Sequence, residues 1–178
     1  MEKYLIFNKN QLLVALFNDK IAAEEAYHDL TQHGYTASEI NVLMSKEAQI
    51  KYYGFARNGN KIEHKSCVSD AFLKGKDEFK IEIKDTISLS STNLSIPWPG
   101  LVVSGPIAGE IIGKINDGYS CAITNAFIRA GMPEDSAQAC LEGLKNGKIV
   151  ITVSKHKNDN LKRISEKWTP FLTEEVIS

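Results

Sequence analysis

Cysteine is scarce in this chain. Its three cysteines, Cys67, Cys121 and Cys140, are odd in number, far apart and without CxxC spacing. Such a set builds neither a disulfide framework nor a zinc ribbon, and it fits reduced thiols in a cytosol. Cys140 reads as a small core residue. An excess of one charge is also lacking: 21 Lys and Arg stand against 22 Asp and Glu, a formal net charge of -1. No long-range field is available to gather nucleic acid, anionic lipid or an acidic substrate. Long hydrophobic runs are missing as well. The longest weakly charged stretch, 87–109, is broken by Ser88, Ser90, Asn93, Pro97 and Pro99, and it is too polar to span a bilayer as a helix. The opening residues Met-Glu-Lys-Tyr-Leu-Ile-Phe-Asn-Lys have no extended apolar segment and no small-residue cleavage site, so they do not read as a secretory signal. These absences point to a cytoplasmic protein without a membrane span.

What is present suffices for a core. With 178 residues and 43% apolar content, the chain needs no metal or disulfide to hold one sizeable domain together. Leu12–Phe17 is a short apolar run suited to a strand. Asn18-Asp19 then offers a helix N-cap before Ile21, Ala22, Ala23, Ala26, Tyr27 and Leu30, which recur at helical spacing. Gly34 ends that helix, and Ile40, Val42 and Met44 alternate with Asn41, Leu43 and Ser45 in a strand with one strongly buried face.

The far end repeats the device. Pro133 suits a first helical position, Glu134 and Asp135 complement the positive end of the helix dipole, and Ala137, Cys140, Leu141 and Leu144 share one face. Gly147 ends this helix, and a β-branched strand follows up to Ser154. Two such units predict an α+β fold, specifically a ferredoxin-like sandwich with helices on one face of an antiparallel sheet. The expected single domain spans 1–178, with its core in 11–45 and 99–154. A third core strand is expected at Leu101, Val102 and Val103. The long insertion, 46–98, should hold a short helix at Lys46–Tyr53, a loop at 54–60 and a strand at 79–83. An extension, 155–178, should carry a helix with Leu161, Ile164 and Trp168 on its apolar face.

The residues Leu13-Val14-Ala15-Leu16-Phe17-Asn18-Asp19, Ala22-Ala23-Glu24-Glu25-Ala26, Gly34-Tyr35 and Ser38-Glu39-Ile40-Asn41-Val42-Leu43-Met44-Ser45 form a pattern that resembles the bacterial general-stress, heat-induced domain family. Leu101 to Gly109 is similar to that family's apolar Gly/Ala segment. The stretch from Ala130 to Val153 is similar to its closing helix and strand. The resemblance implies a fold and a stress-associated role, and it brings no established chemistry.

Gly105, Gly109 and Gly113 fall at i, i+4 and i+8, so a helix from Pro106 would carry a smooth strip for close backbone approach, either within the chain or across a dimer interface. Ser104-Gly105-Pro106 after a strand is a candidate binding turn, with Trp98 nearby, but it lacks the length and lysine of a P-loop. His64 and Cys67 lack further ligands, and His28 and His33 are no better placed, so no metal is expected. No G-x-S-x-G elbow is present, and Glu24-Glu25 and Glu134-Asp135 read as first-turn acids of helices. Lys155, His156, Lys157, Lys162 and Arg163 read as a solvated helix face, not a nucleic-acid track.

Two functions follow as expectations. The first is a non-enzymatic, stress-associated or accessory protein that works by self-association or by binding another protein, with no catalytic residue and no cofactor. The alternative is a small-molecule-binding or sensory domain with a pocket between the sheet and the insertion.

Overall fold

A computed structural model describes residues 4–8, 12–53, 100–112, 114, 118–154, 164 and 168. The chain runs β1 (Tyr4–Asn8), β2 (Leu12–Phe17), α1 (Lys20–Gln32), β3 (Ile40–Ser45), α2 (Lys46–Tyr53), β4 (Leu101–Ser104), α3 (Ile107–Ile112), α4 (Tyr119–Arg129), α5 (Glu134–Lys145) and β5 (Ile149–Ser154). The loop expected at 54–60, the strand expected at 79–83, Trp98 and Gly113 lie outside the described residues. The class is α+β, with one open antiparallel sheet in the order β1-β2-β5-β3-β4.

Each main helix begins and ends for a local reason. Asp19 caps α1: its carboxylate accepts the Ala22 N–H at 2.8 Å. At the other end Gly34 takes φ +89° and the Tyr35 N–H returns to the Leu30 carbonyl at 3.1 Å. That closure needs a left-handed residue, which glycine provides without a Cβ clash. Gly147, at φ +75°, closes α5 in the same way, with the Lys148 N–H on the Gly143 carbonyl at 2.9 Å. Pro133 is the N-cap of α5 and not its first helical residue. Glu134 and Asp135 do occupy the first turn of α5, whereas the first turn of α1 holds no acid, which moves Glu24 and Glu25 one turn deeper than expected.

The sheet departs from the expected two-layer sandwich. Leu13, Ala15, Phe17, Ile40, Val42, Met44, Ile149, Ile151 and Val153 pack with α1 on one face. Leu12, Val14, Leu16, Leu43, Leu101, Val103 and Val150 pack with α3, α4 and α5 on the other. Helices therefore cover both faces, and the strand order differs from that of a ferredoxin-like sheet. The physical reason lies in β2, which turns Leu13, Ala15 and Phe17 to one side and Leu12, Val14 and Leu16 to the other and so needs cover on both sides. All six residues of β3 are buried, which also corrects the expectation of a single buried face.

The core strands form two interlocked crossovers. β2 and β3 are parallel, with β5 between them and antiparallel to both, and α1 connects them. β4 and β5 are parallel, with β3 between them, and α3, α4 and α5 connect them. Half a turn of the sheet in its own plane carries the strand order of one crossover onto the other. With their helices on opposite faces, the two crossovers have opposite hands, so one takes the uncommon left hand.

Ile164 and Trp168 are helical, as expected of the C-terminal extension, and both are buried against the α1 face. The Trp168 ring meets Phe17 edge-on, with centroids 6.0 Å apart and planes at 70°.

Candidate functional site

At the carboxyl ends of β2 and β3, α2 and the turn from α5 into β5 approach one another. Two neighbouring groups start α2: the Ser45 hydroxyl accepts the Ala48 N–H at 3.1 Å, and the Lys46 N–H binds the Gly100 carbonyl. Near its end, the Tyr52 hydroxyl donates to the Asn18 carbonyl at 2.8 Å, which ties α2 to the β2–α1 junction. The turn on the opposite side is held by the glycine closure of α5 described above.

Between them lies a cleft of about 390 Å³, lined by Asn18, Glu47, Ala48, Lys51, Tyr52, Lys145, Asn146, Gly147 and Lys148. Its lining includes three lysines, Lys51, Lys145 and Lys148, and one acid, Glu47. The Lys51 ammonium lies 5.0 Å from the Tyr52 ring centroid, and Lys20 lies 4.9 Å from that of the adjoining Tyr53. Cation–π attraction of this kind restrains long side chains that are otherwise free to wander. Lys145 pairs with Glu142 at 2.8 Å on the outer surface of α5. Polar and charged residues thus border a volume of small-molecule size.

The residues singled out in the sequence lie elsewhere. Ser104 is buried at the end of β4, and its hydroxyl has no hydrogen-bond partner among the described residues. Gly105 sits in the turn before α3 at φ +97°, where an added Cβ would come within 2.5 Å of the Ile40 carbonyl oxygen. That glycine serves a contact inside the chain. Gly109 is exposed on α3 and faces open space. The two glycines therefore do not share a helix face.

Asn41 holds the Gly105 turn in place. Its side-chain amide donates to the Thr152 hydroxyl at 2.9 Å, and its Oδ1 accepts the Ile107 N–H at 2.8 Å. Asn41 and Thr152 are register partners on β3 and β5. This buried polar clamp was not singled out in the sequence. The available signal was an amide within an apolar strand, because a buried amide must find partners.

Other candidates have ordinary partners. His33 Nδ1 lies 2.7 Å from the Asp29 carbonyl, an acceptor, which makes that nitrogen the donor. His28 Nε2 lies 2.9 Å from Gln32 Nε2. Cys140 is fully buried, its thiol donating to Met132 Sδ at 3.8 Å, and burial pushes its pKa up to about 12, so it stays protonated and unreactive. Among the described residues no group of three or more His, Cys, Asp and Glu side chains could hold a metal ion. No described helix is long and apolar enough to cross a membrane.

No protein-family model, curated protein or solved structure matches the chain.

Proposed function

We propose that this chain is an accessory binding protein whose α2–α5 cleft takes a small, polar molecule. The observation that carries the reading is the convergence of three separate segments, 18, 47–52 and 145–148, on one volume of about 390 Å³. That volume falls in the usual range of small-molecule sites. The pocket in this reading is not the one anticipated beside Trp98 and Ser104. Thermal-shift screening tests it, since a ligand of the native state raises the melting temperature by mass action. Hits whose shifts survive in Tyr52→Ala and Lys51→Ala proteins would remove the cleft from consideration. The resemblance to general-stress domains supports a stress-associated setting for this role.

A second reading, self-association, is favoured by the outer surface of α3 and α4. Ile112 is 47% and Ile128 38% exposed, and Gly109 faces open space. Beside them Glu110 and Arg129 form an exposed pair at 3.3 Å, so the surface offers both signs of charge. A patch with both signs is complementary to its own copy across a two-fold axis, and the proposed occupant is a second copy of this chain. Sedimentation of the wild-type protein and of Ile112→Glu/Ile128→Glu tests this. A dimer that the substitutions dissociate supports it, and a monomer at high concentration sinks it.

A further inference from the structure

Resting on the reading of the α3–α4 surface as self-associating, we infer that Glu110 and Arg129 select the partner: with the same two residues of a second copy they close a ring of four alternating charges across a two-fold axis. Within one chain the pair joins two helices through a single contact, from Arg129 Nη1 to Glu110 Oε2 at 3.3 Å. Both side chains are about half exposed, at 51% and 55%. One long contact in water is screened, and it adds little to the stability of the chain.

The capacity that the pair leaves unused is complementary to itself. A guanidinium carries five N–H donors in a planar fork that matches a carboxylate in two parallel bonds. Among the described residues Arg129 uses that fork for one bond to Glu110 and no other. The Glu110 carboxylate, an acceptor at both oxygens, takes the same single bond. A second carboxylate for Arg129 and a second guanidinium for Glu110 would complete both groups.

The neighbours of the pair favour a second copy as the source of both. Arg129 directly follows Ile128, and Glu110 lies two residues before Ile112, the two exposed isoleucines of this surface. Gly109, next to Glu110, has open space where a side chain would stand. A partner that covers the isoleucines draws water away from the adjacent charges, and desolvated charges need opposite charges close by. A two-fold axis passing between Glu110 and Arg129 reverses their order in the second copy. Each guanidinium then faces the partner's carboxylate while keeping its own. An unrelated protein has to supply both signs in reverse order, whereas a second copy does so by symmetry.

Sedimentation equilibrium at low and at high salt tests the ring with the wild-type protein, Glu110→Arg, Arg129→Glu and an equimolar mixture of the two variants. Both positions are exposed, and far-UV circular dichroism checks that the variants fold. Each variant places four like charges around its own axis, so its self-association should weaken about tenfold or more, and less so in high salt. In the mixture neither chain holds an intrachain pair, so any recovery comes from pairs between chains. A heterodimer about as tight as the wild-type dimer supports the inference. Association that either variant retains in full overturns the ring and leaves self-association through the isoleucines standing. Association lost in both variants and not recovered in the mixture overturns it too, because the charges then act within one chain. A wild-type protein that stays monomeric at high concentration removes the self-association reading, and the ring with it.

Discussion

The two helix–glycine–strand units of this chain are alike in sequence and opposite in placement. α1 ends at Gly34 and leads to β3, while α5 ends at Gly147 and leads to β5, each glycine in the left-handed region. Both strands lie at the centre of the sheet, next to one another. The helices nevertheless lie on different faces, α1 against Phe17, Ile40 and Ile151, and α5 against Leu16, Leu43 and Val150. A shared local grammar therefore specifies how each unit turns, and not which side of the sheet it covers. Both sides need a cover because β2, beside β5, is apolar on each, with Leu13, Ala15 and Phe17 towards α1 and Leu12, Val14 and Leu16 towards α5.

The two covers can be broken separately. Trp168→Ala removes a large buried ring from the α1 face, and the expected loss is about 3–5 kcal/mol of unfolding free energy in urea titrations. The opposite face should keep its hydrogen-exchange protection at α4 until global unfolding. Equal loss of protection on both faces would show that the two covers act as one unit.

Asn41→Leu attacks the α5 face from within the sheet. It strands the Ile107 N–H and the Thr152 hydroxyl in a buried setting, at an expected cost of about 2–3 kcal/mol. Thr152→Val in the Asn41→Leu background should recover part of that loss, because it removes one stranded group. No recovery would mean that the clamp acts through the Gly105 turn alone.

The smallest effect tests the likeness of the two units. Gly34→Ala and Gly147→Ala each place a Cβ in open space, so only the left-handed backbone opposes them, and each should lower stability by about 1 kcal/mol. A clear inequality between the two would mean that one turn carries a further constraint.

Much of the scaffold was legible in the sequence because its signals are local. The Asp19 cap, the helix stops at Gly34 and Gly147 and the β-branched run of β5 each act over a few residues. α4 was not anticipated, although Ala122, Ile123, Ala126 and Phe127 mark a buried stripe at helical spacing. Its polar and small neighbours, Ser120, Thr124 and Asn125, give no cap or stop signal of comparable strength.

The candidate site was illegible for another reason. Lys51 lies far along the chain from Lys145 and Lys148, and the pairing of β3 with β5 brings the two segments together. Each lysine taken alone reads as an exposed helix or turn residue. Gly105 and Gly109 show the converse, a regular spacing whose members do not share a helix face. Gly105 falls in a turn before α3 starts, and its freedom from a Cβ is used against the Ile40 carbonyl.

β5 pairs with β2 on one side and β3 on the other, and it is the last described strand of the chain. Asn41 and Thr152, joined across that centre, are 111 positions apart. During synthesis on a ribosome, β2 and β3 emerge early and wait with apolar edges unpaired until β5 arrives between them. Sheets closed by such distant pairings fold slowly and expose sticky intermediates. For a nascent copy of this protein, the period before β5 emerges is the time of greatest need for a chaperone.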